Sequence, residues 1–230
     1  MQTIGLWPTA LHIDTRIRAL RRYRREVTEW QRAGKTNPPP HVLKQRVVRA
    51  YARRFRTRTL VETGTFLGDM VEAVRDAFGA IFSIELDPQL ACLAQTRFQL
   101  QSHIEIIQGD SAQVLPRLLE RITTPALFWL DGHWSDGITA RGEVDTPVRE
   151  ELRAILSHPV RSHVILIDDA RCFDGTCDYP ALPELWDITS ALGPEYVHDV
   201  ADNIIRIHRP PGSKLRWRAA RPEAVLPQPR

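Results

Sequence analysis

Residues 61–69, Val-Glu-Thr-Gly-Thr-Phe-Leu-Gly-Asp, decide the fold: an apolar run ends in an acidic residue, and two glycines then open a helix. Glycines at such a point let the chain turn sharply and let a ligand approach bare backbone. The spacing is G-x-x-x-G, not the G-x-G-x-x-G of dinucleotide-binding folds, so a pyrophosphate cradle is only weakly indicated. A tight strand-to-helix turn without a ligand remains the alternative for this stretch alone.

Outward from this turn, the chain alternates between short apolar runs and amphipathic segments. The runs are rich in β-branched residues, as in strands buried on both faces, and five such alternations predict a parallel sheet. Two β-rich runs then predict an antiparallel hairpin, which completes a doubly wound, mostly parallel seven-stranded α/β sheet. The predicted strands are Thr59–Thr63, Ile81–Glu85, Ile104–Gln108, Ala126–Asp131, His163–Asp168, Glu195–Val200 and Asn203–His208, and helices are predicted near 68–78, 88–100, 112–121, 147–157 and 182–191.

The N-terminal part differs in charge from the remainder. Residues 1–58 carry 15 Lys and Arg against 3 Asp and Glu, a charge of +12, whereas the remainder carries 16 against 25, or −9. A helix over 14–33, a break at the prolines 38–40 and a helix over 41–55 are predicted. We therefore expect a basic helical extension over 1–40, a main domain over 41–209, and a Pro-rich tail over 210–230. The basic helix could bind a polyanion, pack across the acidic body, or form a dimer interface.

Acidic side chains follow the predicted second and third strands as well as the first. Glu85 lies 21 residues beyond Gly64 and ends the second strand, and Asp110-Ser111 follows the third. A carboxylate at the end of the second strand can accept hydrogen bonds from both hydroxyls of a ribose. Solvated acids at strand ends are the alternative interpretation.

This outline resembles the class I S-adenosylmethionine-dependent methyltransferases, and the resemblance covers about residues 41–208. It implies that Glu62 orients the first loop or meets the ammonium group of the cofactor, and that Gly64, Thr65 and Gly68 line the cofactor. It also implies that Asp110 lies near the adenine, with Ser111 beside it. S-adenosylmethionine is therefore the expected cofactor, and the chain is expected to be a methyltransferase.

A second group of acids follows the fourth and fifth strands. Asp131 begins the string Asp-Gly-His that ends at His133, and Asp168-Asp169 follows the fifth strand. The carboxyl ends of adjacent parallel strands border one crevice, where three carboxylates repel each other unless a cation neutralises them. A divalent ion such as Mg²⁺ would do so and would lower the pKa of an acceptor hydroxyl.

These strings resemble the macrocin O-methyltransferase group, which methylates sugar hydroxyls. The resemblance implies that Asp131, Asp168 and Asp169 hold the metal, with Asp131 also able to contact the cofactor. His133 stands where that group has an acidic general base, so it could be the base, a ligand or an inert neighbour. The polar stretch 133–146, with Trp134 and Arg141, is a candidate lid or substrate loop, and an ordinary surface loop is its alternative.

The composition of the chain narrows the classes of protein to which it could belong. The longest apolar run has about five residues, against roughly 20 for a membrane span, and no secretory signal pattern opens the chain. Three sparse cysteines argue against a disulfide framework and favour the cytoplasm. The favoured function is metal-assisted O-methylation of a hydroxylated small molecule or sugar. One alternative is an RNA methyltransferase or RNA-binding protein, although the sequence has no N-P-P-Y-type motif after the fourth predicted strand. The other alternative is a non-catalytic relative.

Overall fold

The computed structural model of the protein describes residues 9–132, 146–190 and 192–211. Seven strands form one sheet in the order β3-β2-β1-β4-β5-β7-β6. The first five strands run parallel, and β7 pairs antiparallel with both β5 and β6. The doubly wound, mostly parallel seven-stranded sheet predicted from the sequence is therefore confirmed. The strands are β1 (Thr59–Thr63), β2 (Ala80–Glu85), β3 (Ile104–Gln108), β4 (Leu127–Leu130), β5 (Val164–Ile167), β6 (Val197–Ala201) and β7 (Ile204–His208).

Helices cover both faces of the sheet, because the central strands are apolar on both sides and all four residues of β4 and of β5 are buried. Helices α2, α3 and α4 pack on one face, and α5, α6 and α7 pack on the other. Short 3₁₀ turns follow α3 and β5. The helices are α1 (Thr9–Arg32), α2 (His41–Phe55), α3 (Asp69–Val74), α4 (Pro88–Phe98), α5 (Ser111–Leu119), α6 (Val148–Ser157) and α7 (Leu182–Ser190).

The N-terminal helix α1 packs against α2. Val27 and Trp30 of α1 are buried with Leu43 of α2, and the indole N–H of Trp30 donates to the carbonyl oxygen of Asn37 at 2.8 Å. The helix begins at Thr9, five residues before the start at residue 14 that the sequence predicts. Among the described residues, no helix combines the length and the apolar composition that crossing a membrane requires.

Candidate functional site

The carboxyl ends of the parallel strands form one continuous edge. Residue pairs Glu85–Gln108, Thr63–Leu130 and Leu130–Ile167 lie side by side in neighbouring strands. The backbone bonding continues just past the strands: the N–H of Asp131 donates to Thr63 and that of Asp168 donates to Leu130, both at 3.0 Å. The acids predicted to share one rim of the sheet are thus brought to that rim.

The loop after β1 requires its glycines. Gly64 has a φ of +83°, and a Cβ atom there would lie 2.4 Å from the carbonyl oxygen of Asp131. Gly68 has a φ of +79°, and its Cβ would lie 2.6 Å from the ring of Phe98. Both positions combine a left-handed backbone with a close approach that only glycine allows. The loop is thereby held directly against the turn after β4.

Glu62 is buried in the floor of this loop, with 1% of its surface exposed. Its carboxylate accepts a hydrogen bond from the Ser83 hydroxyl at 2.5 Å, and the hydroxyls of Ser83 and Thr65 lie 2.6 Å apart. Burial raises the pKa of Glu62 to about 8, the negative charges of Asp131 and Glu85 add to the rise, and the Ser83 hydrogen bond opposes it. Glu62 therefore orders Thr65 and holds a proton near neutral pH.

Glu85 at the end of β2 is fixed by backbone donors. One carboxylate oxygen accepts from the N–H of Phe66 at 2.7 Å, and the other accepts from the N–H of Asp87 at 3.0 Å. A carboxylate has about four acceptor positions, so two remain for a ligand's hydroxyls. This arrangement suits the predicted binding of two ribose hydroxyls. It also draws Phe66 into a left-handed conformation with φ of +49°, and leaves its ring 42% exposed at the rim.

Asp110 and Ser111 lie where β3 gives way to α5. One oxygen of Asp110 caps the helix by accepting from the N–H of Ala112 at 2.9 Å, and the other has only a long contact of 3.4 Å to the Gln113 amide. That second oxygen can accept a hydrogen bond from a ligand such as an exocyclic amine. Ser111 is buried beneath it.

Glu151 is a buried acid that the sequence reasoning missed. It is 1% exposed, lies beside Ser111 and Thr63, and its Oε1 has no hydrogen-bond partner in the described part of the chain. Burial raises its pKa to about 7. A signal for it exists in the sequence: Glu151 shares the apolar face of α6 with Val148, Leu152 and Ile155, at helical spacing.

The crevice after β4 and β5 contains a cation from an unexpected element. The ammonium group of Lys44, in the first turns of α2, donates to Oδ2 of Asp168. Both residues are buried, at 8% and 3% exposure. Burial alone would lower the pKa of Lys44, but the charges of Asp168 and Asp131 outweigh it and leave that pKa raised. Burial raises the pKa of Asp168, with Asp131 adding to the rise and Lys44 opposing it.

Asp169 faces a different neighbour from Asp168. Its backbone is left-handed, with φ of +51°, and its Oδ1 accepts from the Asn203 amide at 2.8 Å. The same Asn203 accepts from the N–H of Arg171 at 3.0 Å. Asp169 is therefore bonded to the turn between β6 and β7, away from the Lys44–Asp168 pair. The guanidinium of Arg171 donates to the carbonyl oxygen of Thr36 at 3.1 Å.

The three acids predicted to hold a metal do not fit a shared Mg²⁺ ion. One oxygen of Asp168 is bonded to an ammonium group and one oxygen of Asp169 to an amide, whereas Mg²⁺ requires near-octahedral oxygen ligands at short distances. No group of three His, Cys, Asp or Glu side chains within residues 9–132, 146–190 and 192–211 is arranged to hold a metal ion. The metal site predicted from Asp131, Asp168 and Asp169 is thus not supported by the geometry.

His133, the predicted base, lies outside the described residues, as do Trp134, Arg141 and the loop to residue 145. Lys44 was missed by the sequence reasoning, although it is one of only three lysines in the chain. It stands on the buried face of α2 with Val48 and Tyr51, at spacings of four and seven residues. A lone lysine on an apolar face is the signal that could have found it.

Comparison with known proteins identifies the architecture. No protein-family model matches the sequence, and no curated protein matches it. The solved O-methyltransferase TomG of Streptomyces achromogenes, in complex with SAM, is 16% identical with a TM-score of 0.54 and aligns 80% of this chain with 87% of its own. An O-methyltransferase from Bacillus cereus in complex with SAH is 14% identical, also with a TM-score of 0.54, over 80% and 90%. The protein has the class I S-adenosylmethionine-dependent methyltransferase fold.

Proposed function

We propose that this protein is an S-adenosylmethionine-dependent methyltransferase. The observation that carries the proposal is the set of acids along one sheet edge, with the Gly64 loop held against the turn after β4. Glu85 has acceptor positions left for a ribose, Asp110 has an oxygen left for an adenine amine, and Glu62 lies under the loop. These are three separate groups, each of which matches one part of the cofactor.

When bound, the cofactor supplies a methyl group on a positively charged sulfur. The residues of this chain then have three tasks: Glu85 and Asp110 hold the nucleoside, the Gly64–Gly68 loop covers the methionine part, and the crevice beside Asp131 presents the acceptor. Holding two reactants in line is itself a large part of catalysis. We assign removal of the acceptor's proton to His133 or Asp131, while the methyl group passes to the acceptor oxygen.

We propose a hydroxylated small molecule or a sugar as the acceptor. The half-buried carboxylate of Asp131 lies at this edge of the sheet, and a carboxylate accepts hydrogen bonds from hydroxyls. The metal-assisted form of this reaction was the expectation from sequence. We leave the metal out of the proposal because Lys44 and Asn203 bond the carboxylates that would hold it.

The proposal is tested by calorimetric titration of the full-length protein with S-adenosylhomocysteine. We expect saturable one-site binding in the wild type, and at least about tenfold weaker binding in Glu85→Gln, since one oxygen of that carboxylate is replaced by a donor. Glu120→Gln, an exposed change at the end of α5, is the matched control and should bind normally. Absence of binding at millimolar ligand by the folded wild type would refute the proposal.

A second candidate function, methylation of or binding to RNA, is favoured by the surface of α1. Four of its arginines are exposed and form no ion pair within the described part of the chain: Arg21, Arg24, Arg25 and Arg32. The helix thus does not cover the acidic body with these charges. The segment that follows α1 reaches the same edge of the sheet as the crevice, because the guanidinium of Arg171, which follows β5, donates to the carbonyl oxygen of Thr36 at 3.1 Å.

Filter binding of tRNA over a salt series discriminates between the two candidates. An RNA-binding function predicts tight binding that weakens steeply with salt, because each phosphate contact releases counterions. The triple variant Arg21→Ala, Arg24→Ala, Arg25→Ala should then reduce both the affinity and the salt slope. A control with Arg117→Ala, on α5 at the opposite face of the sheet, should change neither. Weak binding by the wild type at physiological salt would leave the small-molecule proposal standing.

A further inference from the structure

The Lys44–Asp168 pair joins the N-terminal helices to the crevice of the sheet. Lys44 lies in the first turns of α2, next to the prolines that end the preceding segment, and α2 packs against β4 and β5. The side chain of Asp168 has no exposed surface, and that of Lys44 is 10% exposed. A charged group removed from water to this extent requires an opposite charge in contact.

The charge of Lys44 acts on more than one acid. The negative charges of Asp168, Asp131 and Asp169 raise the pKa of Lys44, in decreasing order of effect. A single ammonium therefore contacts Asp168, one of the three acids whose charge the sequence suggested a divalent cation would neutralise. The second oxygen of Asp168 has no hydrogen-bond partner in the described residues, so Lys44 supplies the compensation for this carboxylate there.

We propose that the ammonium group of Lys44 is the resident cation of this crevice, and that it makes a divalent metal ion unnecessary. The proposal rests on the proposed methyltransferase function, because the crevice is where the acceptor would lie. An ammonium in contact with Oδ2 of Asp168 repels a divalent ion from that oxygen, and the Asn203 amide holds an oxygen of Asp169. Lys44 is a positioning residue: it keeps Asp131 and Asp168 side by side without mutual repulsion.

The test measures metal binding directly, by following the electron spin resonance signal of free Mn²⁺ as the full-length protein is added. We expect no stoichiometric Mn²⁺ binding by the wild type at submillimolar concentration. We expect Lys44→Met to gain a Mn²⁺ site, because it leaves the buried carboxylate of Asp168 without the ammonium that contacts it. We expect Asp168→Asn in the same background to abolish that site. Arg53→Met is the control, since it removes the same charge from an exposed position on the same helix.

Each outcome decides the proposal. A wild-type Mn²⁺ site that Asp168→Asn removes would overturn it, and so would a folded Lys44→Met protein that gains no site. A wild-type Mn²⁺ site that survives Asp168→Asn lies elsewhere and leaves Lys44 as the cation of the crevice. If Lys44→Met does not fold, the wild-type and Asp168→Asn measurements decide alone.

Titration with S-adenosylhomocysteine in the same samples separates this proposal from the proposed function. We expect the affinity of the wild type to change by less than about twofold between EDTA and excess Mg²⁺. Failure to bind S-adenosylhomocysteine at all would refute the methyltransferase function, whereas the Mn²⁺ result would still report on Lys44. The two failures are therefore distinguishable.

Discussion

Replacing Glu62 with glutamine should make the free energy of unfolding less dependent on pH. In the folded protein the pKa of Glu62 is raised from 4.5 to about 8 by burial. Below pH 4.5 the group is protonated in both the folded and the unfolded chain, so its proton has no effect on stability. As the pH rises, the unfolded chain loses this proton while the folded protein keeps it, and stability falls until about pH 8.

The size of the effect follows from the shift of the pKa. Because the pKa rises from 4.5 to about 8, and each pKa unit corresponds to about 1.4 kcal/mol, up to about 5 kcal/mol of stability is lost at pH 8 and above, and about 70% of that loss is reached by pH 7. Glutamine cannot ionise, and its carbonyl oxygen can still accept the Ser83 hydroxyl. Glu62→Gln should therefore match the wild type near pH 4.5 and exceed its stability increasingly toward pH 8.

Urea unfolding of both proteins at a series of pH values gives the comparison, and the difference between the two curves cancels the other titrating groups. Glu120→Gln, which is exposed, should follow the wild type throughout. The reasoning fails if the curves of Glu62→Gln and the wild type run parallel, since Glu62 would then titrate alike in the folded and unfolded chains.

Three further changes test other parts of the structure. Gly64→Ala should cost at least about 2 kcal/mol of stability, measured by urea unfolding, because its Cβ would lie 2.4 Å from the Asp131 carbonyl oxygen in a left-handed backbone; an unchanged midpoint would contradict the close approach. Phe66→Ala should weaken the binding of S-adenosylhomocysteine in calorimetry without reducing stability, since 42% of the surface of Phe66 is exposed at the rim. If affinity and stability fell together, Phe66 would instead be a core residue. Burial lowers the pKa of His163 from 6.5 to about 3, so the contribution of His163 to the free energy of unfolding is fully present above pH 6.5 and is lost as the pH falls toward 3. His163→Gln should therefore make stability depend less on pH in this acid range.

The fold was predictable because its central strands are buried on both faces. Such strands are short continuous apolar runs, and those ending in Glu85 and Ile167 are each followed by a polar turn. Asp87 and Pro88 begin α4 as a cap and first residue, in accordance with the sequence prediction. Local chemistry thus placed most element ends to within a few residues.

The site was predictable to the extent that sequence order determines which residues meet. Parallel strands bring their carboxyl ends to one edge, so the positions of Glu62, Glu85, Asp110 and Asp131 follow from topology alone. Lys44 could not be placed in this way, because its contact with Asp168 depends on how α2 crosses the sheet. The metal site predicted from the acids after β4 and β5 is not supported for the same reason. The charge of Asp168 is compensated by Lys44, which comes from outside the β/α units.

The bond between Lys44 and Asp168 joins residues 124 positions apart. Helix α2 is therefore an integral wall of the crevice, despite its place ahead of the first strand. A shortened protein that begins at β1 would keep every strand yet bury the carboxylate of Asp168 without the ammonium that contacts it. Fragments intended for ligand screening or crystallisation should accordingly start before His41.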